Sequence, residues 1–149
     1  MARILVERQV ITCLAVITPV SISSGRNPSR RICPDVYERI KDALRRPETG
    51  GILGADATGT VTEFYFDATG TTTENQYAPD VTTLNHVIAE WFRNGIEFVG
   101  FVHSHVKDAP KLSWADTDYA QTVKKACQME SVLMLLYLPE TETFYEYVV

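Results

Sequence analysis

Apolar residues occur in short blocks along this chain, and the spacing within each block predicts a strand or a helix. Strands are predicted where short apolar or β-branched runs lie between turn residues, at residues 49–55, 61–66, 96–102, 132–138 and 144–149. Helices are predicted where apolar residues recur every three or four positions, at residues 35–46, 81–94 and 113–129. Because strands and helices alternate and the last two strands follow each other, we predict an α/β (α+β) fold with a mixed β-sheet flanked by helices.

The same pattern predicts which side chains are buried and which are exposed to solvent. The apolar face of the second helix is predicted to comprise Val81, Leu84, Ile88, Trp91 and Phe92. His86 falls on the opposite, solvated side of that helix. Residues 67–80 are polar and rich in Thr and Gly, so we predict an exposed loop near a functional site.

Residues 1–30 are predicted to form an N-terminal extension, with an added strand and a loop, ahead of one domain at residues 31–149. The apolar run at residues 10–22 is too short to cross a membrane. Its β-branched residues favour a strand, although a positively charged start followed by an apolar run is also typical of a secretory leader. An added strand would offer a partner surface or a homodimer contact.

Composition narrows the function classes. With 149 residues, 45% hydrophobic and 22% charged, the chain has the make-up of a soluble globular domain. The formal net charge of −5, with a basic cluster only at Arg26, Arg30 and Arg31, argues against nucleic acid as the main partner. The three cysteines lack CxxC spacing, so we expect reduced thiols, a cytoplasmic location and no membrane association.

Two histidines directly follow the predicted strand at residues 96–102 and are the strongest candidates for chemistry. Successive strand side chains alternate between faces, so His103 and His105 project to the same side. Val99 and Phe101 share that side, whereas Ser104 projects oppositely and is assigned no role.

Asp116 completes a candidate metal site. It lies in the first turn of the helix at residues 113–129, and a short loop can fold it back towards the histidines. Two imidazole nitrogens and one carboxylate oxygen suit Zn²⁺ and leave the fourth tetrahedral position to water. The sequence therefore predicts one zinc ion per chain, held by His103, His105 and Asp116, with a water whose pKa the metal lowers towards neutrality.

Simpler explanations exist for the same residues. Ser113 and Asp116 have the spacing of a helix capping box, which needs no metal. A single histidine in a strand is usually a hydrogen-bonded core residue, but two at i and i+2 would leave several buried polar atoms in need of partners. The pair favours a metal, and both interpretations of Ser113 and Asp116 stay open at this point.

Hydrolysis also requires a proton acceptor, a role commonly taken by glutamate. The candidates are Glu48, Glu63, Glu74, Glu90 and Glu97. Glu48 is preferred because it lies between a helix end and the glycine-rich strand, where core packing does not require it. The alternative is a solvated loop carboxylate.

These residues together resemble the JAMM (MPN+) metalloproteases, most closely the prokaryotic JAB branch. The resemblance rests on Glu48-Thr49-Gly50-Gly51-Ile52-Leu53-Gly54, followed by His103-Ser104-His105, seven further residues, Ser113 and Asp116. It extends over residues 32–149 and implies the JAB/MPN (cytidine-deaminase-like) architecture. It also implies that Glu48 takes a proton from a zinc-held water and passes it to the leaving amine, and that Ser113 donates a hydrogen bond to the oxyanion.

The resemblance implies a substrate class as well. Members of this family cleave isopeptide or peptide bonds after the C-terminal glycine of ubiquitin or ubiquitin-like proteins, in deconjugation or precursor processing. Their bacterial members occur beside ubiquitin-like, E1-like and E2-like partners, including in antiphage defence operons, or with sulfur-carrier proteins. This chain departs from many relatives in having Val106 where a proline follows the second histidine.

Substrate contacts are predicted in two segments, because an extended tail that adds to a sheet edge needs a wall on each side. Residues 67–80 and 106–112 are the predicted walls, with Asn75 and Trp114 as the contacting residues.

Two other functions are alternatives to a metalloprotease. A non-catalytic MPN module that scaffolds a complex is disfavoured because the metal residues are all present, and a zinc deaminase is disfavoured because its His-x-Glu and Pro-Cys-x-x-Cys motifs are absent.

Overall fold

The structure is a computed structural model that describes residues 30–73 and 76–149. The predicted N-terminal extension, apart from Arg30, lies outside these residues, as do the candidate base Glu74 and the predicted substrate residue Asn75. The domain boundary near residue 30 therefore stays a prediction.

Helices and strands alternate along the described chain. Their order is α1 (Pro34–Ala43), β1 (Gly50–Ala55), β2 (Val61–Phe66), β3 (Thr71–Thr73), β4 (Gln76–Ala78), α2 (Val81–Arg93), β5 (Glu97–Ser104), α3 (Trp114–Ala126), β6 (Leu133–Leu138) and β7 (Thr143–Val148). None of these helices is both long enough and apolar enough to cross a membrane.

Five strands form one mixed sheet in the order β2-β1-β5-β6-β7. β5 and β6 are parallel, with α3 as the crossover between them, whereas the other neighbouring strands are antiparallel. The β6–β7 hairpin and the mixed sheet confirm the predicted fold class. β3 and β4 form a separate two-stranded hairpin.

The three central strands are buried on both faces, which explains their nearly continuous apolar sequences. On one face Phe101 packs in a cluster with Ile88 of α2 and Val123 of α3. On the other face Val102 packs with Val36 and Ile40 of α1. The helices therefore flank the sheet, as predicted.

The first helix is shorter than its apolar pattern predicts. Pro34 occupies its first turn, where the missing N–H costs nothing, and the helix ends at Ala43 rather than at residue 46. Leu44 leaves the helical backbone region, with φ −93° and ψ 55°, although its side chain is buried.

The prediction that Phe92 is buried was wrong, since this side chain is 47% exposed. A side chain on Gly54 would collide with Trp91 and Ile96, which shows that Trp91 fills the space above this glycine. Trp91 therefore takes the inward position at the end of α2, and Phe92 is left outside. His86 is exposed, as predicted.

Val99 does not share a face with Phe101, contrary to the strict alternation expected of a strand. Leu53 pairs with Gly100 and Gly54 pairs with Phe98, so an irregularity in the ladder leaves Val99 without a direct partner. This β-bulge turns Val99 to the α1 side, where it packs with Val102. The two histidines lie beyond the bulge and keep the predicted alternation.

Residues 67–80 were predicted to be an exposed loop; several of them, such as Thr69 and Thr71, are exposed, but the loop assignment was wrong. They contain the β3–β4 hairpin, and Asp67 at their start is buried. Strands of three residues are too short to show a period of two, and the hairpin is held by side-chain contacts that no local pattern encodes.

Candidate metal centre

His103 is the second-last residue of β5 and His105 directly follows the strand, so both rings lie at one end of the central strand. The two residues are 5% and 7% exposed. Their Nε2 atoms are 2.8 Å apart and the rings meet edge to face, with centroids 4.5 Å apart. The predicted convergence of the two histidines is therefore present.

Asp116 approaches both histidines from the first turn of α3. Its Oδ2 atom lies 3.3 Å from His103 Nε2 and 3.5 Å from His105 Nε2. Ligands of a tetrahedral zinc ion are separated by roughly 3.3 Å when the metal–ligand bonds are about 2.0–2.1 Å. The three donor atoms thus lie at separations that one metal ion could span.

The backbone prepares His105 for metal binding. Its Nδ1 atom lies 3.1 Å from the carbonyl oxygen of Ala109, and a proton on Nδ1 donates to that oxygen. The Nε2 lone pair is then free to point at a metal, which is the usual arrangement of a ligating histidine. The donor set of two imidazole nitrogens and one carboxylate oxygen fits a borderline divalent cation such as Zn²⁺.

The capping-box interpretation of Ser113 and Asp116 is also correct. Ser113 Oγ accepts a hydrogen bond from the Asp116 N–H at 3.1 Å, and Asp116 Oδ2 accepts one from the Ser113 N–H at 2.7 Å. The oxygen that completes the cap is the same one that faces the histidines. The cap and the candidate metal site therefore coexist.

Burial, hydrogen bonds and neighbouring charges shift the pKa values of Asp116 and His105. Burial alone would raise the pKa of Asp116, but hydrogen bonds and charge from His103 and His105 outweigh it and hold that pKa well below its usual range. Burial lowers the pKa of His105, but the hydrogen bonds to Asp116 and to the Ala109 carbonyl reverse this, and the net pKa is raised. The carboxylate is thus held ionised beside the imidazoles.

Glu48 lies on the loop between α1 and β1, in the left-handed backbone region with φ 59°. Its N–H donates to the carbonyl oxygen of Ser104 at 2.7 Å, which fixes the loop to the end of β5. Burial raises the pKa of Glu48, while His105 and His103 lower it. The side chain is therefore half-buried and within electrostatic reach of the metal cluster, without belonging to the set of three that could share an ion.

Ser104 has a role that the sequence interpretation missed. It does point away from the histidines, as predicted, but it is fully buried and its hydroxyl holds the α1–β1 loop. Ser104 Oγ donates to the carbonyl oxygen of Arg46 and accepts from the Thr49 N–H at 3.1 Å. A serine inside an apolar strand needs hydrogen-bond partners, and that requirement was the available signal.

Exposed apolar residues and a cavity lie near the two loops that carry site residues. Trp114, the first residue of α3, is 82% exposed beside Ser113, and Val106 is also exposed. A cavity of about 360 Å³ lies between the α1–β1 loop and the segment that follows β2, and its lining includes Arg46, Thr49, Asp67 and Thr72. Residues of the 67–80 segment contribute to this lining, and the predicted substrate walls at residues 67–80 and 106–112 stay predictions.

The fold is shared with a protein of known structure. The solution structure of protein DSY2949 from Desulfitobacterium hafniense superposes with a TM-score of 0.59, at 17% sequence identity, over 81% of this chain and 84% of that one. A JAB1/MPN domain protein from Archaeoglobus fulgidus, AF2198, is similar at 16% identity over 81% of this chain and 89% of that one, but its TM-score of 0.44 is too low to support an assignment. No protein-family model and no curated protein sequence matches this chain. The first similarity shows a common fold and carries no information on activity.

Proposed function

We propose that this protein is a zinc-dependent metallopeptidase of the JAMM (MPN+) type that cleaves after the C-terminal glycine of a ubiquitin-like protein. The observation that carries the proposal is the convergence of His103, His105 and Asp116 on one point, next to the Glu48 loop, which a backbone hydrogen bond ties to Ser104 between the two histidines. A structural ion cluster would not need a half-buried glutamate outside its ligand set, whereas a hydrolase needs a proton acceptor there.

The residues divide the chemistry among them. His103 and His105 would hold zinc through Nε2, and Asp116 through Oδ2. When bound, zinc supplies a Lewis acid with one open position. Glu48 would take a proton from the attacking water and deliver it to the departing amine, a task that favours a carboxyl group whose pKa is raised above its usual value.

Ser113 is proposed to stabilise the oxyanion that forms on the attacked carbonyl. Its oxygen already accepts the Asp116 N–H, so the hydroxyl hydrogen remains available to donate. Because α3 fixes both Ser113 and Asp116, the donor and the metal ligand keep a constant separation during the reaction.

The proposed substrate is an extended tail, because Val106 and Trp114, which directly follow His105 and Ser113, are exposed apolar residues against which such a tail could lie. Ubiquitin-like proteins end in such tails, and the match of the Glu48, His103, His105, Ser113 and Asp116 pattern supports this class. E1-like and E2-like proteins are the expected companions, and a cytoplasmic location is part of the same proposal. Precursor processing, including that of a sulfur-carrier protein, is the alternative to deconjugation.

The test uses two kinds of bond. Zinc-loaded protein is incubated with ubiquitin or a ubiquitin-like protein joined through its C-terminal glycine either to a reporter protein by a peptide bond or to a lysine by an isopeptide bond. Cleavage of at least one substrate is expected, with loss on chelation and recovery on zinc addition. Stoichiometric zinc binding without cleavage of any such substrate would contradict the proposal and favour the scaffold function.

A further inference from the structure

A buried carboxylate at the end of β2 belongs to neither the cap nor the candidate ligand set. Asp67 directly follows β2 and is 4% exposed. Its Oδ2 atom accepts a hydrogen bond from the Tyr77 hydroxyl at 2.6 Å and another from the Asp80 N–H at 2.9 Å. No ion pair to Asp67 occurs within the described part of the chain, and a carboxylate is costly to bury without one. Both hydrogen bonds to the Asp67 side chain come from residues at or after β4, at the end of residues 67–80.

The Tyr77 ring fits between two glycines. A Cβ on Gly50 would lie 2.5 Å from the ring, and a Cβ on Gly70 would lie 2.7 Å from the ring and 2.6 Å from Asp67 Oδ2. Both glycines are therefore needed for the ring to lie where it does. Gly50 pairs with His103 in the β1–β5 ladder, so Tyr77 contacts the sheet at the residue opposite a proposed metal ligand.

The same carboxylate also faces α3. Tyr119 lies one turn after Asp116, and burial followed by the negative charge of Asp67 raises the pKa of Tyr119 to about 12. The Tyr119 hydroxyl and Asp67 Oδ1 are both buried without a hydrogen-bond partner among the described residues. Asp67 therefore bonds to the hairpin and acts on the helix that carries Asp116 only through its charge.

We propose that Asp67 and Tyr77 are positioning residues whose hydrogen bond locks the β3–β4 hairpin onto β1. The lock fixes the segment after β2 that forms one side of the cavity next to the Glu48 loop. Its effect on substrate binding rests on the proposed function, whereas the lock itself does not.

Three variants test the lock. Tyr77→Phe keeps the ring between the glycines and removes the hydroxyl, and Asp67→Ala removes the acceptor. Asp67→Asn is the conservative rescue, because its amide oxygen can accept from the Tyr77 hydroxyl and the Asp80 N–H. Tyr145→Phe, at an exposed tyrosine of β7, is the matched control.

Amide hydrogen exchange of residues 71–78 is the readout that does not depend on activity. We expect about ten- to a hundred-fold faster exchange in Tyr77→Phe and Asp67→Ala, with near-normal exchange in Asp67→Asn and Tyr145→Phe. Zinc stoichiometry is expected to stay unchanged in all four. Unchanged exchange in Tyr77→Phe, in a variant that still binds zinc, would overturn the lock.

Kinetics test the consequence of the lock for the proposed reaction. Tyr77→Phe is expected to raise KM several-fold with little change in kcat, because the cavity wall moves while the zinc ligands do not. Faster hairpin exchange with an unchanged KM would overturn the positioning role. If the unmodified protein cleaves no substrate, the proposed function fails, and the exchange experiment alone still decides whether the hairpin is locked.

Discussion

Asp116 Oδ2 makes contacts of two kinds at the start of α3. It accepts the Ser113 N–H at 2.7 Å and lies 3.3 Å from His103 Nε2. The capping box thus orients the carboxylate without a metal, and a preoriented ligand loses less conformational freedom on binding. The same carboxylate oxygen therefore completes the capping box and faces the candidate metal site.

Ser113→Ala separates these contributions. We expect the free energy of unfolding to fall by about 1 kcal/mol because the cap acceptor is lost. We expect kcat to fall about 10²–10³-fold because the oxyanion donor is lost. Zinc should stay bound, since a backbone N–H holds Asp116. Ser113→Thr should recover both losses, and release of zinc by Ser113→Ala would contradict this division of roles.

The cluster also makes the stability of the metal-free protein depend on pH. Burial lowers the pKa of His105, but the hydrogen bonds that it donates to the Asp116 carboxylate and the Ala109 carbonyl dominate, so the pKa rises above its ordinary value of 6.5. The folded protein then holds this proton more tightly than the unfolded chain does. The stabilisation is fully present below pH 6.5 and is lost as the pH rises through the raised pKa.

Urea unfolding of the chelator-treated protein measures this effect. The free energy of unfolding is expected to decrease as the pH rises from about 6 to about 8, and His105→Gln should flatten that decrease. His86→Gln is the control, because His86 is exposed on α2. An equal slope in His105→Gln and in the unmodified protein would contradict the raised pKa.

At the scale of the elements, the α1–β1 loop depends on a residue of another strand. Ser104 of β5 accepts the Thr49 N–H and donates to the Arg46 carbonyl, on either side of Glu48. The strained backbone of Glu48, with φ 59°, is held by these contacts and by its own N–H bond to the Ser104 carbonyl. Ser104 thus positions Glu48 from the opposite face of the strand that carries the histidines.

Ser104→Ala tests that positioning. It leaves the Thr49 N–H without its acceptor and removes one of the two hydroxyls that donate to the Arg46 carbonyl, so the free energy of unfolding should fall by about 1 kcal/mol. Turnover should fall while zinc stays bound, because the ligands lie on the other face. Thr122→Ala, which removes an exposed hydroxyl bonded to the Asp118 carbonyl, is the control and should change neither. Full activity in Ser104→Ala would exclude the positioning role.

The sequence predicted the main strands and helices because burial on one or two faces leaves a periodic record in the residues. It did not predict the β3–β4 hairpin, which is held by Asp67 and Tyr77 rather than by an apolar face. The alternation of strand side chains predicted the face on which Ser104 lies, but not that the α1–β1 loop contacts it there. The bulge at Val99 arises from the pairing of β5 with β1, which only the assembled sheet determines.

At the scale of the whole molecule, the sheet order brings distant segments to one end. β1 and β5 are neighbours, so the loop before β1 meets the end of β5, and α3 returns Asp116 to the same place. The exposure of Trp114 is a consequence of this arrangement. The first turn of α3 directs Asp116 inward and leaves the Trp114 side chain in solvent. A large exposed aromatic residue beside a candidate site is typical of a binding surface.

Trp114→Ala tests this surface. We expect KM for a ubiquitin-like substrate to rise several-fold, with zinc content unchanged and little change in the free energy of unfolding, because the side chain is 82% exposed. Phe92→Ala removes an exposed aromatic side chain from α2 and is the control. An equal effect of the two substitutions on KM would argue against a specific role for Trp114.

The most direct test of the central claim is a paired measurement of zinc content and turnover in Glu48→Gln. We predict stoichiometric zinc, as in the unmodified protein, with turnover reduced by about 10²–10⁴-fold, because the proposed role of the glutamate is that of a proton acceptor and not of a ligand. Glu97→Gln, at an exposed glutamate of β5, should keep both. Glu48→Gln protein that binds zinc and cleaves at the normal rate would contradict the account.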